Sequence, residues 1–137
     1  MFSNTHTLVL LNARSASDGI LFSNKSYGIN GNLAIDLQLS SLGVEFLQKI
    51  VILGQHSRQW DQPSFLPIQN KEWQISGTAY SLSLALSHIQ DSSCAWIVYS
   101  DILFRSIPYV AHSIPLDQSI CFVDSSWNTR NPERFDS

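Results

Sequence analysis

The chain has 137 residues, of which 44% are hydrophobic, and a formal net charge of −3 at pH 7. This length allows one domain with a real core and is short for two, so a single domain over residues 1–137 is expected. No cluster of lysines and arginines occurs, which argues against a protein that binds the phosphate backbone of nucleic acids. The apolar runs are too short to span a bilayer and no basic region precedes one at the N-terminus, so we predict a cytoplasmic protein without membrane association.

The first strand is predicted at residues 7–11, a continuous apolar run of the kind found in central parallel strands. The polar residues 12–19 follow at its carboxyl end, where open α/β sheets bind their ligands. A phosphate-binding loop is therefore expected there, with Arg14 as a possible source of positive charge. An ordinary surface loop with a solvated arginine fits the same residues.

A helix is predicted over residues 33–42, because apolar residues recur there at helical spacing. Its core-facing residues would be Ile35, Leu39 and Leu42. Gly43 can end the helix, since glycine readily adopts the left-handed conformation that follows many helices. The apolar stripe indicates packing against a sheet rather than a binding surface.

Two further strands are predicted in the first half of the chain. Residues 50–54 form a second buried strand, which together with the first strand and the intervening helix makes one βαβ unit. Residues 65–68 form a short strand. Pro67 would place it at a sheet edge, because proline cannot donate a hydrogen bond to a neighbouring strand.

The segment 70–104 shows the clearest organisation. A polar loop ends at Gly77, and Thr78 can cap a following helix. The apolar face predicted for that helix consists of Leu82, Leu86 and Ile89. Residues 95–99 predict a buried parallel strand that ends just before Asp101, so this carboxylate would lie at the ligand-binding edge of the sheet.

The remaining sequence is less informative. We predict a short irregular helix over residues 102–112 and a last strand over residues 119–124. Cys94 and Cys121 lie beside strand-like segments, which favours buried, reduced thiols over a disulfide or a metal pair. His56 has no neighbouring residue at metal-ligand spacing, which favours a surface histidine.

Three motifs stand in order in the second half of the chain: Asn70-Lys71-Glu72-Trp73, Gly77-Thr78-Ala79-Tyr80-Ser81-Leu82 and Tyr99-Ser100-Asp101-Ile102-Leu103-Phe104. Together they resemble the nucleotidyltransferase family that makes nucleoside-diphosphate sugars and CDP-alcohols, in particular its cytidylyltransferase-like members. A later match in the same order consists of Asp124, Trp127, Arg134 and Phe135. The resemblance covers nearly all of this chain but only about the first half of the family's domain.

The resemblance implies an α/β fold. The expected architecture is a Rossmann-like, three-layer α/β/α arrangement around a mostly parallel central sheet, of the nucleotide-diphospho-sugar transferase type and truncated. The half of the family's domain that has no counterpart here would leave an open sheet edge. A homodimer or a partner chain is therefore expected to cover that edge.

The resemblance also implies a nucleotide site. In the family the Gly-Thr-Ala turn lies against the nucleotide, which assigns Gly77 and Thr78 to nucleotide binding. Leu11, Asn12 and Ala13 at the end of the first strand are assigned to nucleotide binding as well, and the backbone at Asn12, Ala13 and Gly77 would recognise the base and ribose. Trp73 has two interpretations that the sequence leaves open: a stacking platform for the base, or a cap on the core.

Charge compensation and metal binding follow from the same resemblance. The family's strand-end Asp holds a catalytic divalent metal, so Asp101 would bind Mg²⁺. Lys25 and Arg14 would act as catalytic residues that offset phosphate charge. In the phosphate loop, however, Arg14 and Ala16 stand where the family has glycines and Asp18 stands where it has an arginine.

The implied reaction is transfer of a nucleotidyl group, with CMP from CTP as the expected case, to a small phosphorylated or phosphonylated acceptor with release of pyrophosphate. The loop changes support an alternative, in which the chain is a catalytically silent nucleotide-binding or protein-interaction module on the same fold. A Rossmann-like interaction domain without any ligand is the third interpretation. The acceptor and the nucleotide would be the partners of an active enzyme.

Overall fold

A computed structural model describes residues 5–13, 28–29, 32–54, 60, 62–89, 94–100, 118–121 and 129. Within these ranges the chain forms strands β1 (His6–Asn12), β2 (Gly28–Ile29), β3 (Asn32–Leu33), β4 (Gln48–Leu53), β5 (Leu66–Gln69) and β6 (Cys94–Tyr99), and helices α1 (Ala34–Leu42) and α2 (Thr78–Leu86). Among the described residues, no helix has the length and apolar character needed to cross a lipid bilayer.

The main sheet has the strand order β5-β4-β1-β6, and every neighbouring pair in it is parallel. In the centre, Leu10 of β1 lies opposite Val51 of β4 and Val98 of β6. The predictions of parallel strands at residues 7–11 and 95–99, and of an α/β fold, are therefore confirmed, and the two strands are neighbours. β2 and β3 form a separate antiparallel pair that leads directly into α1.

The two helices cover opposite faces of this sheet. Successive strand residues point to opposite sides, so each strand contributes to two cores. The core on the α1 side is formed by Leu8, Leu10, Ile35, Leu42, Val51, Leu53, Phe65, Trp96 and Val98. The core on the α2 side is formed by Val9, Leu11, Ile50, Ile52 and Ala85. The described elements thus make three layers, as expected.

α1 agrees closely with its prediction. Ile35 and Leu42 are fully buried and Leu39 packs beside them. Gly43 follows with a φ of 65°, a left-handed conformation that favours glycine at the end of a helix. The helix also buries Gln38, whose Nε2 donates to the carbonyl oxygen of Tyr99 at 2.8 Å and so ties α1 to the end of β6.

β5 is an edge strand in the described sheet, as Pro67 predicts. β6 differs from its prediction, because only one of its faces is buried. Trp96 and Val98 point into the core on the α1 side, whereas Ile97 and Tyr99 point to the other side and are exposed. The reason is that α2 packs mainly on β1 and β4 and leaves this side of β6 uncovered among the described residues.

The buried face of α2 was predicted wrongly in part. Leu82 and Ile89 do pack on the sheet, but Leu86 is 61% exposed. Ser81 and Ala85 take the central buried positions instead. The apolar pattern does not predict this, because a hydrogen bond from Asn70 Nδ2 allows Ser81 to be buried.

The end of the chain also differs from its prediction. Residues 118–121 form no strand, and Cys121 is exposed rather than buried. Cys94 is half-buried, and neither cysteine is in a disulfide. The predictions for residues 102–112, residues 122–124 and His56 lie outside the described residues.

Candidate functional site

A cleft of about 200 Å³ opens at the carboxyl ends of β1 and β6, next to the N-terminus of α2. Its lining consists of Leu11, Ala13, Ser76, Gly77, Thr78, Ser81 and Tyr99. Complete ligand sites commonly enclose roughly 300–1,000 Å³, so this cleft can hold one part of a nucleotide, such as a phosphate group or a ring.

A larger depression of about 570 Å³ lies at the opposite end of the sheet. It is lined by Thr5, His6, Gly43, Val44, Glu45, Phe46 and Leu47. Parallel α/β sheets bind ligands at the carboxyl ends of their strands, where loops and helix N-termini converge. We therefore assign the functional site to the smaller cleft.

The N-terminus of α2 lies at the cleft, where Gly77 and Thr78 form part of the lining. Gly77 is the N-cap residue, with φ −101° and ψ −174°, and no side chain caps the helix. The predicted cap, Thr78, is the first helical residue instead, so its hydroxyl does not cap the helix. The first N–H groups of a helix have no partners within it and carry partial positive charge, which suits an anionic ligand.

The space beside the α-carbon of Gly77 is open. A Cβ atom built on this residue would meet no atom within 4 Å. Its extended backbone is accessible to any residue, so the glycine is not required by the fold. What it does provide is an unobstructed approach to the start of α2.

The end of β1 contributes alternate residues to the cleft. Leu11 and Ala13 line it, whereas the side chain of Asn12 points to the other face of the sheet, as strand alternation requires. There Asn12 Oδ1 accepts a hydrogen bond from the Ser100 hydroxyl at 2.7 Å, and both residues are buried. The side chain of Asn12 therefore joins β1 to the end of β6, and the contact predicted between the Asn12 backbone and the nucleotide stays a prediction.

Tyr99 forms the wall on the β6 side. It lies opposite Leu11 in the sheet register, so its ring points to the same face. Its hydroxyl donates to Thr78 Oγ1 over 3.4 Å, a long and therefore weak bond. This contact connects the end of β6 to the start of α2 and is easily given up to a ligand.

Asn70 holds together the base of the cleft. It is 1% exposed, and its Oδ1 accepts from the backbone N–H of Glu72 at 2.8 Å. Its Nδ2 donates to Ser76 Oγ at 2.9 Å and to Ser81 Oγ at 3.0 Å. Its backbone N–H donates to the carbonyl of Leu53. One side chain thus fixes the loop before α2 and two hydroxyls of the cleft.

Trp73 packs beside the cleft rather than in it. A Cβ atom at Gly54 would lie 3.0 Å from both Cβ and Cγ of Trp73 and 3.2 Å from the carbonyl carbon of Ala13. Glycine at position 54 therefore allows Trp73 to pack closely against the backbone at the end of β4. Trp73 is half-buried and does not line the cleft, which favours its interpretation as a cap on the core.

The described lining contains hydroxyls, backbone groups and apolar side chains, and no charged side chain. No group of three His, Cys, Asp or Glu residues that could hold a metal occurs in the described part of the chain. The predicted charged residues, Arg14, Lys25 and Asp101, all lie outside it. A Mg²⁺ ion at this edge would depend on Asp101, since the described lining offers no carboxylate.

Of the residues predicted to bind the nucleotide, the structure brings Leu11, Ala13, Gly77 and Thr78 together around one cleft. Sequence reasoning missed Ser76 and Ser81 as lining residues and Asn70 as their support. One signal was present: an asparagine in a polar loop favours an Asx turn, in which its side chain accepts a hydrogen bond from the backbone N–H two residues later. The bonds from Asn70 to the two serines depend on packing and left no pattern in the sequence.

Comparisons of the chain with protein-family models, with curated proteins and with solved structures found no match. They therefore neither support nor contradict the resemblance to nucleotidyltransferases. The α/β fold with a parallel sheet is established by the described elements themselves. The family and the activity stay predictions that the cleft can help to test.

Proposed function

We propose that this cleft binds a nucleoside triphosphate and that the chain is a nucleotidyltransferase-like domain. In the reaction, a phosphate or phosphonate oxygen of a small acceptor attacks the α-phosphorus of the nucleotide. The bond from the α-phosphorus to the bridging oxygen breaks, and pyrophosphate leaves. CTP is the first candidate nucleotide, because the resemblance is to the cytidylyltransferase-like branch.

One observation carries the proposal. The ends of β1 and β6 and the N-terminus of α2 converge on a cleft that Gly77 and Thr78 line, at the point where the first N–H groups of the helix have no partner within the helix. Such groups stabilise phosphate oxygens through hydrogen bonds and the helix dipole. The cleft also contains four of the residues that the sequence assigned to the nucleotide: Leu11, Ala13, Gly77 and Thr78.

In this proposal the charge that the described lining lacks comes from Asp101, Arg14 and Lys25, which lie outside the described residues. Asp101 follows Ser100, which is fixed at the end of β6, and would hold Mg²⁺ to neutralise phosphate charge. Arg14 follows Ala13 of the lining, and Lys25 would supply further positive charge. Catalysis in such a site is positioning plus electrostatic stabilisation, because nucleotidyl transfer needs no covalent step on the protein.

A second candidate is an interaction module that has kept the fold without catalysis. Two observations favour it: the described lining is uncharged, and one side of the edge strand β6 exposes Ala95, Ile97 and Tyr99. Among the described residues the outer edge of β6 has no neighbouring strand, and such an edge is a common site of pairing with another chain. A second copy of the chain or a partner chain at β6 would then be the functional contact.

Calorimetric titration with CTP, with and without Mg²⁺, tests the first proposal. We expect Mg²⁺-dependent binding that Asp101→Asn weakens, and pyrophosphate release when small phosphomonoesters or phosphonates are added. Ser81→Ala should weaken binding roughly tenfold, the usual effect of losing one hydrogen bond to a charged group. Ser83→Ala is the matched control, because Ser83 lies on the same helix, is exposed and donates its hydroxyl to the carbonyl of Tyr80.

The outcomes separate the two candidates. If CTP, ATP, GTP and UTP all fail to bind, the transferase proposal is wrong. Sedimentation velocity then tests the second candidate: a concentration-dependent dimer that Ile97→Lys dissociates would support pairing through β6. A monomer at all concentrations, with no nucleotide bound, would contradict both candidates unless a partner chain is found.

A further inference from the structure

The hydrogen bonds of Asn70 determine which way the hydroxyls of the cleft can point. Its Oδ1 faces the backbone N–H of Glu72 at 2.8 Å, and a carbonyl oxygen is the only part of an amide that can accept this bond. The amide orientation is therefore fixed. Both hydrogens of Nδ2 must be directed to the other two partners, Ser76 Oγ and Ser81 Oγ.

Each of these serine oxygens consequently accepts a hydrogen bond from Asn70 Nδ2. A hydroxyl that accepts from one side directs its own proton elsewhere. The hydrogen bonds of the described residues include none in which Ser76 or Ser81 donates its hydroxyl proton. Both residues line the cleft, and Ser81 is only 6% exposed, so its proton has few directions other than the cleft.

We infer that Asn70 is a positioning residue that turns this cleft into a hydrogen-bond donor site. The hydroxyl protons of Ser76 and Ser81 then add to the N–H groups at the start of α2. A backbone N–H can only donate. A site of donors selects ligand groups that only accept, and phosphate oxygens are the strongest of these. The inference rests on the proposed function for the identity of the ligand and extends it to the group that enters the cleft: a phosphate of the nucleotide.

The sharpest test is Asn70→Asp. The aspartate is nearly the same size and keeps an acceptor for the N–H of Glu72. Its second oxygen can only accept, so the serine protons turn toward it and the cleft loses its two hydroxyl donors. Gln69→Glu is the matched control, because it introduces the same charge one residue away at an exposed position of β5.

The probes are CTP with Mg²⁺ and inorganic phosphate alone, and circular dichroism checks that each variant is folded. We expect Asn70→Asp to weaken binding at least tenfold and Gln69→Glu to change it less than twofold. Lowering the pH until the new carboxyl takes up a proton should restore part of the lost binding relative to wild type, because a protonated carboxyl donates again. A purely structural role of Asn70 would give no such recovery.

Each result decides the matter. If folded Asn70→Asp binds CTP like the wild type, the inference is wrong and the proposed function stands. If wild type binds phosphate but no nucleotide, and Asn70→Asp loses that binding, the inference stands and the proposed function is wrong. Binding of neither probe by wild type overturns both.

If Asn70→Asp does not fold, Ser76→Ala carries the test. It removes one of the two hydroxyl donors at a half-buried position and leaves the charge of the protein unchanged. We expect phosphate and CTP binding to fall about tenfold, against no change for Ser83→Ala. Unchanged binding in Ser76→Ala would overturn the inference.

Discussion

Replacing Asn70 by alanine should destabilise the protein more than its place in a polar loop would suggest. The side chain makes three hydrogen bonds, to the N–H of Glu72 and to the hydroxyls of Ser76 and Ser81, and is 1% exposed. These bonds connect the segment after β5 to α2. Alanine removes them all and leaves the Glu72 N–H without its acceptor.

The expected magnitude follows from those bonds. A hydrogen bond contributes about 1 kcal/mol net, and a buried group left without a partner costs about 1–3 kcal/mol. We therefore expect Asn70→Ala to lower the free energy of unfolding by about 3 kcal/mol. With a urea dependence of about 2 kcal/mol per molar, the unfolding midpoint falls by roughly 1.5 M.

Urea unfolding followed by tryptophan fluorescence and by circular dichroism measures this change. Coincident transitions establish that both probes report one process. A double-mutant cycle with Ser81→Ala should give a coupling energy of about 1 kcal/mol, because the two residues share a bond. A loss of stability below about 1 kcal/mol in Asn70→Ala would refute the reasoning, since it would mean that these bonds do not hold α2 in place.

Two further predictions concern stability and reactivity. Gly54→Ala should lower the free energy of unfolding by about 1 kcal/mol, because its Cβ would lie 3.0 Å from the Trp73 side chain. The Cβ of Gly77→Ala would meet no atom within 4 Å, so this variant should change the free energy of unfolding by less than about 0.5 kcal/mol in the same urea experiment. Burial raises the pKa of the Cys94 thiol, so Cys94 should react with a disulfide reagent more slowly than exposed Cys121 at neutral pH and accelerate only at higher pH. Equal rates in the single variants Cys94→Ser and Cys121→Ser would contradict this.

Much of the fold was predictable because local patterns and the tertiary structure agree there. The continuous apolar runs of β1 and β4 are buried on both faces, and they occupy the centre of the sheet. Gly43 ends α1 as expected. β6 has a similar run but lies at an edge of the described sheet, so half of its residues are exposed. Hydrophobicity alone cannot tell a central strand from an edge strand.

The site was predictable to a smaller degree. Leu11, Ala13, Gly77 and Thr78 meet in one cleft because carboxyl ends of neighbouring parallel strands share one edge of the sheet. The prediction for Asn12 concerns its backbone and stays a prediction, whereas strand alternation turns its side chain to the opposite face, where it bonds to Ser100. Arg14, Lys25 and Asp101 lie outside the described residues, so their assignment stays a prediction.

The sequence by itself determined where β1, β4, β5, β6, α1 and α2 form, because apolar periodicity and glycine or proline positions act over a few neighbouring residues. Only the tertiary structure decided the roles of Asn70, Ser76 and Ser81. Their hydrogen bonds join a loop to a helix and compensate the burial of polar groups, which would otherwise be unfavourable. Such a network depends on distances between residues that are separated along the chain, and no local pattern encodes it.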